Sequence, residues 1–426
     1  MSVHTVGNLG FNRVDGGPKN IAELDVSLPL VESIFLRYLY SRGSSSLTDV
    51  GKSLKLSFSL TQALFQRLRE RNMFEVTGMV GHDYQIALSG PGRDYAAKLY
   101  DTCHYSGPIP VSVSSYTQMV TEQIPDLRLN RRLLKESLAD AVVTDDFLDQ
   151  LGPALMTQDP IFLYGPSGNG KTFVASQVMN VYHDAVLIPY ALEFDGQIII
   201  VYDPSVHKKL DDVDYAGDPR WVVCRRPFVV CGGELSTSML ELHADEGANV
   251  YAAPVQMKAN NGILVIDDFG RQTMSPQVLL NRWIVPLERK IDFLTLKYGA
   301  KLQVPFEMNI LFATNVDPSS LVDEAFLRRI KNKIYVAPVS DEIFDQIFYK
   351  LVEQRKLLCQ PNCAASLRHL CLTMGSKILQ ACIPKDIIDI VASIDQYEGE
   401  ATPLTADKLE RAANLYFTKI HHFVDK

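Results

Sequence analysis

The chain has 426 residues, 46% hydrophobic and 22% charged, with a formal net charge of −8 at pH 7. That length exceeds one ordinary domain of about 100–200 residues, and the balance excludes a disordered or fibrous chain. The negative charge argues against wholesale binding to nucleic acid, though a local basic patch is compatible with it.

The start, Met1-Ser2-Val3-His4-Thr5, lacks the basic lead and apolar core of a secretory signal. No stretch approaches the ~20 apolar residues needed to span a bilayer, so a cytoplasmic protein without membrane insertion is expected. Seven cysteines, an odd number thinly spread, do not suggest a disulfide framework. Cys359, Cys363, His369 and Cys371 are zinc-capable, but their spacing matches no common zinc knuckle, and they read as core and surface residues.

Residues 1–25, rich in Gly, Asn and Asp, read as a flexible lead-in. Residues 26–105 then change pattern. Leu30 to Tyr40 and Leu47 to Leu54 read as helices, followed by Ser59 to Arg71 with Leu60, Leu64 and Leu68 on one face. Met73–Val76, a Gly78–Gly81 turn and Tyr84–Leu88 read as a hairpin, with a further helix near Gly92. Three helices and a two-stranded wing resemble a winged helix-turn-helix, and Leu88 to Ala96 is similar to the exit from the wing in MarR-type regulators. Arg67, Arg69 and Arg71 lie on or just beyond the helix that would enter a major groove, which makes DNA a possible partner. The acids of the same region nearly balance its bases, which favours a winged helix used for protein contact or subunit packing. Residues 106–126 read as a linker, with Val111 to Tyr116 extended, and Leu127 to Leu151 as helices.

Gly165-Pro166-Ser167-Gly168-Asn169-Gly170-Lys171-Thr172 fits G-x-x-x-x-G-K-S/T. Glycines let backbone N–H groups turn inward around an anion, where a Cβ would obstruct them. Lys171 can place a point charge on the β- and γ-phosphates of a nucleoside triphosphate, and the Thr172 hydroxyl can complete a Mg²⁺ shell. Pro160 to Tyr164 reads as the buried strand feeding the loop. Phe173 to Met179 reads as the helix whose N-terminus faces the phosphates.

Ile263-Leu264-Val265-Ile266-Asp267-Asp268 is a buried strand ending in two acids. Asp267 is placed to hold Mg²⁺ through water and Asp268 to orient an attacking water. Asn309 to Asn315 is another buried strand, whose terminal amide can bond the γ-phosphate or that water. Leu321 to Ile330 reads as a helix ending in Arg328 and Arg329, and Ile383-Pro384-Lys385 opens a helix in an all-helical tail.

From about Leu127 to the C-terminus these ordered elements resemble the AAA+ ATPases. The resemblance implies a P-loop α/β domain over 127–338, with a parallel sheet flanked by helices, and a helical lid over 339–426. It also implies a ring, usually hexameric, with nucleotide between neighbouring subunits. Carried over, Gly165 to Phe173 bind nucleotide, Thr172 and Asp267 hold the metal, and Asp267 and Asp268 are the paired acids. Asn315 is the first sensor, Arg329 the finger reaching a neighbour's γ-phosphate with Arg328 close behind, and Lys385 the second sensor. The family more often has Glu at the position of Asp268 and Arg at that of Lys385, and Lys makes no bidentate phosphate contact, so slow turnover is compatible with the pattern.

Thr172 to Asp267 spans 95 positions, longer than a compact strand-helix-strand requires. Ile188 to Tyr202 reads as a hairpin turning at Asp195-Gly196, and Arg289 to Phe306 as another turning at Tyr298-Gly299. This is similar to the AAA+ branch with a pre-sensor hairpin, which includes MoxR-type chaperones, chelatase motors and enhancer-binding activators. Asn281 to Arg289 and Val322 to Arg329 look like a bacterial group of predicted ATPases with chaperone activity. The resemblance implies an ATP-driven ring that remodels or assembles an unidentified protein partner. The alternative is an ATP-controlled DNA-binding switch of initiator, helicase-loader or regulator type, acting through the winged helix.

Overall fold

The computed structural model describes residues 16–81, 83–321, 327–375, 378–399 and 403–417. These fall into two compact units, one built from 1–126, 182–264 and 272–309, the other from 127–181, 265–271 and 310–426.

In the first unit, helices Leu28–Arg42, Leu47–Leu54 and Phe58–Glu70 precede the strands Phe74–Val80 and Asp83–Leu88. Ser46 and Ser57 cap the second and third helices, each accepting a main-chain N–H. The strand runs through Gly78 with a bulge at Val76/Gly78, and the chain reverses at Gly81 in a left-handed conformation. Ser44–Ser46 adds a third strand beside Asp83–Leu88, and helix Gly90–Thr102 follows. Leu60, Leu64, Phe65 and Leu68 are buried with Phe35, Leu39 and Phe74. Arg67 and Arg69 lie on helix Phe58–Glu70 and Arg71 at its C-terminal end. Arg67 Nε and Arg71 Nη1 both donate to the Glu32 carboxylate, at 2.7 and 2.6 Å.

Residues 16–25 include the turn Ile21–Glu23, and Asp25 is tied into the unit. Its carboxylate accepts from Arg220 Nη1 at 2.6 Å, the Ser115 hydroxyl at 2.6 Å and the Ser112 amide at 2.9 Å. Arg220 is buried and also pairs with Asp218 at 2.7 Å. Val111 to Tyr116 is not extended throughout: only Val111–Ser112 is strand, and Ser112 then caps helix Val113–Glu122.

Both expected hairpins form. Ala191–Phe194 pairs with Gln197–Ile200 across Asp195 and Gly196, whose φ of 50° and 74° give a turn with both central residues left-handed. Ile291–Thr295 pairs with Lys301–Pro305, with Gly299 at φ 91°. The Tyr298 hydroxyl donates to Asp195 Oδ2 at 3.0 Å, joining the two tips.

The second unit carries a parallel sheet. Ile161–Tyr164 lies between Asn309–Thr314 and Asn332–Tyr335, parallel to both, and the strand ending at Ile266 lies beyond Asn309–Thr314. Such strands are apolar along their whole length because helices cover both faces. Phe162, Phe269 and Phe312 are fully buried in one cluster with ring centroids 5.0–5.6 Å apart. Helices Arg131–Ser137 and Asp145–Thr157 precede the sheet. Four helices, Asp341–Gln354, Cys363–Met374, Ile383–Glu398 and Ala406–Tyr416, form a separate core around Phe344, Phe348, Leu367 and Ile387. Cys363 and Cys371 point into that core while His369 is exposed on the same helix. No described helix is long and apolar enough to cross a membrane.

Candidate functional site

Ligand crevices in parallel sheets open where strands deliver their C-terminal ends, because the loops there diverge. At that edge Tyr164 leads into Gly165–Gly170, and Gly170, left-handed at φ 80°, opens helix Lys171–Val178. Gly165 has φ 143°, and a Cβ there would collide with the Val336 carbonyl, so the loop leaves the sheet at a point only glycine fits.

Lys171 is 7% exposed and folds back across the loop. Its ammonium donates to the carbonyls of Gly165 and Pro166, each at 2.9 Å, and to Asn315 Oδ1 at 2.6 Å. Burial holds its pKa below the ordinary lysine value, opposed by the nearby Asp267 and Asp268 carboxylates. A charge short of water and held by neutral carbonyls is poised to exchange them for an anion.

The Thr172 hydroxyl reaches both Asp267 oxygens, at 2.8 and 2.9 Å. Asp268 is left-handed at φ 48°; its amide donates to Asp267 Oδ1 at 3.0 Å, and its carboxylate accepts from Asn315 Nδ2 at 3.2 Å. The Asn315 amide therefore bridges the lysine and the second acid. The strand ends are locked by Phe269 N–H to Ala313 O at 2.8 Å and the Thr314 hydroxyl to Phe269 O at 2.8 Å. Five residues from three separated segments thus converge: Lys171, Thr172, Asp267, Asp268 and Asn315.

Beside the loop lies a cavity of about 890 Å³. Gly168, Asn169, Gly170 and Phe173 form one wall, and Val142, Val143, Phe147 and Val336 supply apolar surface. Ile343, Ile347 and Leu351 close it from the C-terminal helices. Asn169 is buried, donates to Pro166 O at 3.2 Å, and keeps Oδ1 without a hydrogen-bond partner. Pro166 and Ser167 complete the loop, Ser167 exposed. Lys385 lines the cavity from the start of helix Ile383–Glu398, with Nζ 3.5 Å from Asp389 Oδ2. Arg328 and Arg329 follow Leu327 in a turn before strand Asn332–Tyr335, and neither lines the cavity. Residues 322–326 of the helix expected ahead of them lie outside the described residues.

The arrangement supplies inward amides, one ammonium, a hydroxyl–carboxylate pair and an apolar chamber with a few polar groups. That is the donor set for a polyanion joined to a flat apolar group, with a hard cation between hydroxyl and carboxylate. The cavity walls from 142–147 and 343–351 were not marked by sequence reasoning. Their apolar residues sit at ordinary helix and loop positions with no distinguishing spacing.

Residues 340–415 match a family described as a domain of unknown function, DUF8689. No curated protein matches the sequence. Among solved structures, NtrX from Brucella abortus is similar at 14% identity and a TM-score of 0.41, over 76% of this chain and 62% of that one. The Holliday junction branch migration motor RuvB of Thermotoga maritima is similar at 13% identity and 0.34, over 69% and 72%. A complex of magnesium chelatase subunits BchI and BchD is similar at 16% identity and 0.32, over 65% and 93%. The chain spans less than two thirds of the NtrX chain. At such scores these likenesses carry no argument about function.

Proposed function

We propose that the chain is a P-loop ATPase of the AAA+ type that couples ATP hydrolysis, in an oligomeric ring, to remodelling or assembly of a protein partner. The observation that carries the proposal is the convergence of Lys171, Thr172, Asp267, Asp268 and Asn315 around one glycine loop. On this reading the Lys171 ammonium leaves the Gly165 and Pro166 carbonyls for the β- and γ-phosphate oxygens. Thr172 and Asp267, already within hydrogen-bond distance of each other, have the hard oxygens that fit Mg²⁺. The metal, when bound, neutralises charge on the phosphates. Asp268 orients the attacking water, and Asn315 holds that carboxylate in place while contacting the γ-phosphate. The adenine base lies in the apolar cavity and Lys385 approaches the phosphates from the lid. Arg329, with Arg328 beside it, serves the neighbouring subunit's site.

The same reading assigns 26–105 to a winged-helix-like domain, 127–338 to the nucleotide-binding domain and 339–426 to the lid. Glu32 takes up both Arg67 and Arg71, which lowers the positive field a DNA groove would meet. Val76, Met79 and Val80 are exposed along the wing strand, which suits contact with protein. The winged-helix-like domain is therefore assigned to partner recognition rather than to DNA. Purified chain is expected to release phosphate from ATP only with Mg²⁺ present. Binding of ATP without any Mg²⁺-dependent hydrolysis, even at high protein concentration, would contradict the proposal.

A further inference from the structure

The phosphate loop is bonded from outside as well as within. Gln380 Nε2 donates to Ser167 O at 3.1 Å, and the Cys382 amide donates to Gly168 O at 2.9 Å. Two consecutive loop carbonyls are thus held toward the short segment Gln380–Cys382, inside the 340–415 region. The approach is close. A Cβ on Gly168 would lie 2.9 Å from Cys382 Sγ and 3.2 Å from Gln380 Cδ, and Gly168 is left-handed at φ 77°.

A planar trans peptide points its C=O and the following N–H in opposite directions. With the Ser167 and Gly168 carbonyls drawn to Gln380 and Cys382, the Gly168 and Asn169 amides are turned away from that segment. In a glycine loop of this kind, amides turned inward are the groups that bind an anion. Nothing inside the loop fixes these two peptides in the same way: Lys171 holds the Gly165 and Pro166 carbonyls, and the Asn169 side chain holds Pro166 again.

We propose that Gln380 is a positioning residue: together with the Cys382 amide it presets the Gly168 and Asn169 peptides to receive a phosphate chain. This rests on the nucleotide reading above and gives the 340–415 region a role beyond covering the cavity. Affinity for phosphates is then set from the C-terminal helices, and any displacement of Gln380–Cys382 releases the two peptides.

The test uses the full chain as wild type, Gln380→Ala, Gln380→Glu and Lys171→Ala. ATP and adenosine affinities are measured by calorimetric titration, and amide exchange is followed in the peptide covering 165–172. Gln380→Ala is expected to weaken ATP about threefold to tenfold, the effect of losing one hydrogen bond. Adenosine binding and the melting midpoint should stay as in wild type, and the 165–172 peptide should exchange faster. Gln380→Glu, equal in length but anionic and without the donor, should weaken ATP further.

Unchanged ATP affinity and exchange in Gln380→Ala, while Lys171→Ala loses ATP, would overturn the brace alone. Equal loss of ATP and adenosine would also overturn it, because the cavity rather than the phosphate loop would then have been altered. If wild type fails to bind ATP, or Lys171→Ala binds it as well as wild type, the nucleotide reading falls and the brace falls with it.

Discussion

Replacing Lys171 by Met keeps most of the apolar stem of the side chain and removes the ammonium, with both its charge and its hydrogen-bond donors. In the free chain three acceptors lose their donor: the Gly165 and Pro166 carbonyls and Asn315 Oδ1. Each such loss costs about 0.5–1.5 kcal/mol net. Against this, burial holds the Lys171 pKa down, so the fold bears a cost for the ammonium at neutral pH that Met does not impose. The two effects act in opposite directions, so thermal unfolding of Lys171→Met should show less destabilisation than the three lost bonds alone would cause. Nucleotide binding should behave differently. Loss of a charge-assisted contact to phosphate costs about 3 kcal/mol, or about 150-fold in affinity.

The alkaline range adds a check. A phosphate chain favours charged Lys171, so ATP binding should take up a proton as the pH approaches the depressed pKa of the free site. Wild-type affinity should therefore fall with rising pH below the ordinary lysine value of 10.5, while Lys171→Met shows no matching loss. The assay is calorimetric titration of both proteins at several pH values, with melting curves in parallel. A variant that keeps ATP affinity, or one that unfolds in proportion to its loss of binding, would refute the reasoning.

Gly165→Ala should be far more damaging than its size suggests. It combines a φ of 143° with a collision against the carbonyl of Val336, which directly follows the strand paired to the one feeding the loop. A loss of about 3 kcal/mol or more is expected in chemical unfolding, and a change under about 1 kcal/mol would mean the loop leaves the sheet by another path. In the other unit, burial raises the Asp203 pKa, but bonds from Lys258, the Ser205 hydroxyl and the Ser205 amide together bring it down to about 2. A depressed carboxyl pKa stabilises the fold above the unfolded value of 3.8 and loses that contribution as pH falls through about 2. The pair keeps 20% and 28% of its side-chain surface exposed. With solvent screening, Asp203→Asn should cost about 1 kcal/mol at pH 7 and nothing near pH 2. Equal destabilisation at both pH values in urea unfolding would count against this assignment.

The two hairpins and the glycine loop are legible in the sequence because each depends on residues with special backbone freedom. Asp195-Gly196 and Gly299 take left-handed conformations, and Gly165, Gly168 and Gly170 all have positive φ. The apolar strands tipped by Asp267-Asp268 and by Asn315 were legible for a related reason, since a buried parallel strand shows no polar face. What escaped depends on partners distant in sequence. Ser112 caps a helix in what looked like linker, and Asp25 anchors it through Ser112 and Ser115. Glu32 takes up Arg67 and Arg71 across 35 and 39 positions. Gln380 meets Ser167 across 213 positions, and neither residue type nor spacing marks it.

The most direct measurement is the ATPase rate per subunit as a function of protein concentration, for wild type beside Arg329→Ala. On the proposed AAA+ reading Arg329 acts on a neighbouring subunit's site, and it does not line its own chain's cavity. The expected result is a wild-type rate that rises with concentration to a plateau, with Arg329→Ala near background throughout while still binding ATP. A rate independent of concentration and unchanged by Arg329→Ala would contradict an assembled ATPase with a shared site.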